Sequence, residues 1–259
     1  MTATPLPAVF LAHGSPMLAL EGEAWGEAVS ALGRRLPPQG AILVCSAHWE
    51  AAGPFRLSSA TAPGVMHDFG GFPEALYGLD YPAPGSPGLA DEAAGLLREA
   101  GLEAVLDAQR PLDHGAWVPL RYLRPEADLP VVQLSLPRTR TPGLLLAAGR
   151  ALAPLRHRGV LILGSGGIVH NLGRLDWQGA AEPRPWAVAF QRWVHGRLAA
   201  GDGTALAEWR QAPGSAEAVP TSEHLDPLFV AMGAGGTPPG LLFAGWQLGS
   251  LSLTSYEFP

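Results

Sequence analysis

The sequence contains no lysine; all 17 of its cationic side chains are arginines. That absence excludes a Schiff-base lysine and the phosphate-binding lysine of a Walker-type loop. Cysteine is almost as scarce. The single one, Cys45, sits inside an apolar run, where it reads as a small core residue. One cysteine cannot form an intrachain disulfide, so the expected setting is a reducing cytoplasm. The opening MTATPLPAVF has neither the basic start nor the long apolar stretch of a secretory signal, and no run approaches the ~20 apolar residues of a membrane span. Charge is sparse and tilted negative, with 15% charged residues and a net charge of −6. Without a basic patch, neither nucleic acid nor a membrane is an expected partner. The short metal signatures CxxC and HExxH are missing too, so metal ligands must come from distant segments.

What is present is a set of apolar runs that end in histidines. In AILVCSAHWE, residues 41–50, the uncharged run from Ala41 to Cys45 predicts a strand buried on both faces. The break after it places His48 just past the strand's C-terminal end. Ala8 to Ala12 runs into His13-Gly14-Ser15-Pro16, and Val160 to Leu163 passes through a glycine turn to His170 and Asn171. In open α/β sheets this is the edge where ligands bind.

Elsewhere, apolar spacing predicts helices over 21–36, 89–99, 142–155 and 185–199, and strands near 103–106 and 131–136. Residues 53–87 read as a long loop suited to a lid or binding role, and 111–119 as a loop entering a helix with Leu120 and Leu123. Residues 221–227 enter a last helix, and 241–256 supply one or two closing strands. No repeat or linker interrupts the chain. The expectation is one α/β domain over 1–259, with a central, mostly parallel (mixed) sheet flanked by helices.

Two of the eight histidines, His157 and His195, lie among arginines and read as solvated. The other six each sit in a segment with a glycine, a proline or a strand end beside it. A site with several imidazoles suits Zn, Fe, Cu or Ni better than Mg or Ca. His13 and His48, with His224 or its neighbour Glu223, form the expected ligand set. His170 and His114 are left for proton transfer, which an unperturbed pKa near ~6.5 allows at neutral pH. Trp49, Trp117, Phe69 and Phe72 read as core residues or as walls of a flat aromatic pocket. Gly164-Ser165-Gly166-Gly167 is not GxGxxG and is better read as letting the backbone turn and approach the site. Ser15 and Ser46 sit in no G-x-S-x-G elbow. Arg121, Arg138 and Arg174 read as surface charges, with a substrate carboxylate as the alternative role.

With these residues laid out, the chain resembles the class III extradiol ring-cleavage dioxygenases, in particular the 4,5-DOPA dioxygenase branch of the LigB-like superfamily. The resemblance rests on FLAHGSP (10–16), SAHWE (46–50), MHDFGGFPEALY (66–77), LDHGAWVPL (112–120), VVQLSL (131–136), LGSGGIVHNL (163–172), SEHLDPLFVAMGA (222–234) and GSLSLTSYEF (249–258), in order from end to end. It implies one mononuclear metal, Fe(II) in the active oxygenase with Zn possible as isolated. His13 and His48 match the two N-terminal ligands, and the third lies in Ser222-Glu223-His224. His170 matches a fourth ligand or the acid/base, and His114 a histidine on the substrate side. His67, in the aromatic loop, is a lesser candidate for substrate contact, and Trp49, by its place beside His48, is another. The implied reaction inserts O2 into the ring of a DOPA-like catechol to give a muconic semialdehyde. A zinc-dependent hydrolase or lyase, or a non-catalytic metal-binding protein, are the rival readings on the same scaffold. A monomer or small homo-oligomer is expected.

Overall fold

The computed structural model describes residues 4–177 and 182–259. The strands are β1 (Ala8–Ala12), β2 (Ala41–Ala51), β3 (Phe55–Ser58), β4 (Ala104–Asp107), β5 (Val131–Pro137), β6 (Val160–Gly166), β7 (Gly240–Phe243), β8 (Trp246–Gln247), β9 (Leu251–Ser252) and β10 (Ser255–Phe258). Eight of them form one sheet in the order β4-β3-β5-β2-β6-β1-β10-β7, while β8 and β9 pair separately. The centre, β5-β2-β6-β1, is parallel. On one side β3 is antiparallel to β5 and parallel to β4. On the other, β10 and β7 add antiparallel strands. The sheet is mixed with a parallel core, as the alternation of strands and helices predicts.

Successive residues of a strand point to opposite faces, so the central strands feed two cores. Phe10, Leu43, Leu134 and Ile162 pack on one side with helices α2 (Pro87–Glu99), α4 (Pro142–Leu152), α5 (Pro185–Ala199) and α6 (Asp226–Ala234). Val9, Leu11, Val44 and Leu163 pack on the other with α1 (Glu23–Arg35) and α3 (His114–Leu123). Trp25, Val29 and Leu32 lie on the buried stripe of α1, as their spacing predicts. Among the described residues no helix is long and apolar enough to cross a membrane.

Several boundaries differ from the sequence expectation. β2 does not stop at Cys45 but runs to Ala51, with a register shift against β5 between Cys45 and Glu50. Such an irregularity re-aims side chains, and it leaves His48 on the strand itself. Gly164 to Gly166 continue β6 as strand and do not turn. A Cβ on Gly164 would strike the Pro227 carbonyl, and one on Gly166 the His224 carbonyl. The glycines therefore let the chain around His224 lie directly on the strand. Residues 53–87 are not all loop: they include β3 and a short helix, Glu74–Tyr77. The closing segment holds four short strands, where one or two were expected.

The last difference bears most on the site. Residues 114–119 are helical, because α3 already begins at His114. Asp113 caps it, accepting from the Ala116 N–H at 3.1 Å. Pro119 lies inside the helix and has no N–H, so the Gly115 carbonyl lacks its helical donor. Asp113 is fully buried and also accepts from Ser46 Oγ at 2.6 Å, from Arg110 Nη2 at 2.8 Å and from the Gln133 amide. Asp113→Ala would leave those donors without their acceptor and the Arg110 guanidinium without its counter-charge. Breaking a buried pair in this way costs about 3–5 kcal/mol. The expected result is a lower denaturation midpoint with an unchanged m-value in guanidinium unfolding.

Candidate metal centre

The parallel strands bring their C-terminal ends together, and the histidines collect there. His13 follows β1, His48 rides on β2, and His170 follows β6, forming an isolated bridge with Leu251. His114 opens α3, and His224 sits in the turn before α6. His13, His48 and His224 each place a ligand nitrogen within 4.8 Å of the others. The Nε2 atoms of His13 and His48 are 3.0 Å apart.

Accounting for protons shows what those nitrogens offer. Ser165 Oγ donates its one hydrogen to the Gly115 carbonyl that Pro119 leaves free. The 2.9 Å contact between Ser165 Oγ and His13 Nδ1 must then have the imidazole as donor, which leaves His13 Nε2 a bare lone pair. His224 Nδ1 donates to Glu223 Oε1 at 3.0 Å, so its Nε2 is also bare. That nitrogen is buried and has no hydrogen-bond partner. His48 Nδ1 faces Asp68 Oδ2 at 3.6 Å, a carboxylate that favours the proton on that side.

The bare lone pairs of His13 and His224 thus converge with His48 Nε2, a set of donor atoms that a cation would satisfy. Two nitrogens that share one ion at about 2.0–2.1 Å, at roughly a right angle, stand ~3 Å apart, as His13 and His48 do. The outward nitrogens of His13 and His224 are hydrogen-bonded to Ser165 and Glu223, the support that metal-bound imidazoles need, and that of His48 faces the Asp68 carboxylate. The cluster fits a mononuclear metal-binding site. The Glu223 carboxylate lies on the Nδ1 side of His224 and also accepts from Thr221 Oγ1 at 2.9 Å.

Burial, followed by the charges of the neighbouring imidazoles, holds His13 and His224 well below the usual histidine range. Burial and then the charge of His114 bring His48 down to about 3. Burial and then His48 bring His170 to about 4. Deprotonated imidazole is the ligating form. His170 stacks on His224 with centroids 3.4 Å apart and planes 6° from parallel.

Asp68 was not singled out in the sequence. Its Oδ1 accepts from both the backbone N–H of His114, at 2.9 Å, and His114 Nδ1, at 3.0 Å. Burial pushes its carboxyl up, but these hydrogen bonds and the charge of His114 outweigh it and hold the group at about 2. With Nδ1 committed to Asp68, Nε2 is the ring nitrogen of His114 left for another partner.

These groups open onto a cavity of about 300 Å³. His48, His114, His170, His224 and Asp68 line it. Phe69 and Phe72 form one wall, edge to face with ring centroids 5.5 Å apart. Leu172, Leu175, Trp177 and Leu248 also line it, and sequence reasoning missed all four. No metal or aromatic motif marks them, and only the fold brings 172–177 beside 248.

The expected substrate contacts lie elsewhere. Trp49 follows His48 on β2 and points to the other face, beneath the Arg110 guanidinium at 5.1 Å. His67 ties Nε2 to the Leu79 carbonyl at 3.0 Å and packs its ring on Phe69 and Trp117. Neither lines the cavity, nor do Arg121, Arg138 or Arg174. Trp117 is core, with Nε1 bonded to the Met66 carbonyl at 3.0 Å. His157 and His195 are exposed, as expected, although His195 Nδ1 lies 3.1 Å from the Tyr256 hydroxyl.

Comparison with known proteins places the chain in a family. The family profile described as "Catalytic LigB subunit of aromatic ring-opening dioxygenase" matches residues 7–258. A protein named 4,5-DOPA dioxygenase extradiol from Escherichia coli K12 is 40% identical, with 99% of this chain and 96% of that protein covered. One of the same name from Beta vulgaris is also 40% identical, with 96% and 95% covered. The crystal structure of an uncharacterized E. coli K12 protein superposes with a TM-score of 0.84 at 34% identity, covering 98% of this chain and all of the other.

Proposed function

Because the chain belongs to the family of the catalytic LigB subunit of aromatic ring-opening dioxygenases, we propose that its histidine cluster is where O2 is inserted into the ring of a catechol. The protein is an extradiol ring-cleaving dioxygenase. The observation that carries the site assignment is the convergence of ligand nitrogens from His13, His48 and His224 at an aromatic-walled cavity.

In this reading His13, His48 and His224 hold Fe(II), with Glu223 supporting His224 from behind. When bound there, iron would supply the redox-active Lewis acid that couples a catechol to O2. Two histidines then remain for protons. His114, oriented by Asp68, presents Nε2 to a ring hydroxyl and accepts its proton. His170, neutral in its buried position, stands on the other side of His224 and can take or return a proton as the ring opens to a muconic semialdehyde. Phe69 and Phe72 hold the ring flat and keep water away from it. The relatives' name makes DOPA the first catechol to test. A single buried cysteine fits a reducing compartment, and we place the enzyme in the cytoplasm, acting alone or as a small homo-oligomer on a small aromatic molecule.

The test is oxygen consumption by protein loaded anaerobically with Fe(II), beside a Zn-loaded sample and His170→Ala. Iron-dependent uptake with a yellow product, slowed by about 10²–10⁴-fold in the variant, is expected if His170 moves protons. A fully iron-loaded protein that consumes no oxygen with any catechol would sink the reading.

A further inference from the structure

Resting on that reading, we propose that the preferred substrates are catechols with an uncharged, apolar substituent, held on a rim formed by Leu172, Leu175, Trp177 and Leu248. The histidine floor accounts for the two ring oxygens but says nothing of what the ring carries. The rim does. Leu172, 63% exposed, and Trp177, 72% exposed, are the two most exposed large apolar side chains among the described residues, and both line this one cavity. Exposed apolar surface gathered at a cavity mouth marks a binding surface.

The rim is built into the fold. The Asp176 N–H donates to the Leu248 carbonyl at 3.0 Å, and Ser250 Oγ donates to the Asn171 carbonyl at 3.0 Å. These bonds seat both ends of the 172–177 segment on the turn between β8 and β9. Leu248 itself has φ of 52°, a left-handed conformation that favours glycine and that a leucine adopts at a cost. A glycine there would relieve the backbone; the leucine instead lends its side chain to the cavity lining.

Charge points the same way. Among the described residues none of the 17 arginines lines the cavity, and the sequence has no lysine. The lining charge is the carboxylate of Asp68. A substrate carboxylate at the rim, away from the metal, therefore finds no arginine in the lining to pair with and one like charge, and burying it unpaired is unfavourable. An alkyl group of the same size meets leucine and tryptophan.

4-Propylcatechol and DOPA test this directly, since they share a ring and a three-carbon chain and differ in the amino and carboxylate groups. With Fe(II)-loaded enzyme, kcat/KM for 4-propylcatechol is expected to exceed that for DOPA by about tenfold, the scale of apolar discrimination in enzyme pockets. 3-(3,4-Dihydroxyphenyl)propionate should rank with DOPA, which isolates the carboxylate. In Trp177→Ala and, separately, Leu248→Gly, the propylcatechol-to-DOPA ratio should fall towards one. A wild-type ratio at or below one overturns the proposal, as does a high ratio that neither variant changes. Turnover of no catechol at all would instead overturn the dioxygenase reading on which the proposal rests.

Discussion

His13→Ala is expected to strip the metal from the protein and to lower turnover by more than about 10²-fold. The reason is where His13 sits in the proton accounting. Its ring is fully buried, its Nδ1 is committed to Ser165, and its Nε2 faces His48 at 3.0 Å. Removing a partner behind a metal-bound imidazole already costs about 10–100-fold in affinity or activity, so removing the imidazole itself exceeds that. Metal content after dialysis against a weak chelator, read beside oxygen uptake, checks both halves. His170→Ala provides the contrast, and it is expected to keep its metal while turning over slowly. If His170→Ala loses metal as readily as His13→Ala, His170 is a ligand and not the proton carrier.

Gly115→Ala is the second large effect, and here two physical terms oppose each other. Gly115 is helical, and alanine is favoured over glycine in a helix by about 1 kcal/mol. A stability argument from propensity alone would predict a better protein. But a Cβ at this position would stand on Ser46 Oγ, 2.9 Å from His48 Cδ2 and 3.1 Å from His13 Cε1. Overpacking a tight site costs about 1–3 kcal/mol, enough to cancel the propensity gain. Besides Ser46, the atoms that must yield belong to two of the three proposed ligands. Displacing them is expected to lower kcat/KM by up to about 10²-fold, the penalty of a ~1 Å misplacement. Kinetics and thermal unfolding together decide it: near-native stability with collapsed activity fits the steric account, and unchanged kinetics refute it.

Much of this arrangement could be read before any coordinates. β1 and α5 carry the bounds their patterns predict, because a short uncharged run and a proline-started amphipathic stretch are each governed by local chemistry. His13, His48 and His224 converge because each lies at or near the edge where parallel strands end. What stayed hidden depends on partners far along the chain. Asp68 meets His114 across 46 residues, and nothing around Asp68 announces it. The extension of β2 through His48 is set by pairing with β5 and β6, which polar residues in the run conceal. Trp49 looked like a pocket wall because it adjoins a site histidine, whereas in a strand adjacency in sequence means opposite faces. The start of α3 was placed too late because a proline in the run reads as a helix breaker.

That proline has a consequence for anyone who would engineer this protein. An interior proline costs a helix about 3 kcal/mol, so a campaign that ranks variants by melting temperature would be drawn to position 119 early. Any residue with an N–H would reclaim the Gly115 carbonyl for the helix. Ser165 would then be free to turn its hydroxyl towards His13, and the imidazole could carry its proton on either nitrogen. The melting curve would reward the change while one of the metal's ligands lost the contact that fixes its binding tautomer. In this fold a flaw in a helix stores the instruction for which atom of a distant ring stays bare, and a stability screen reads that instruction as an error.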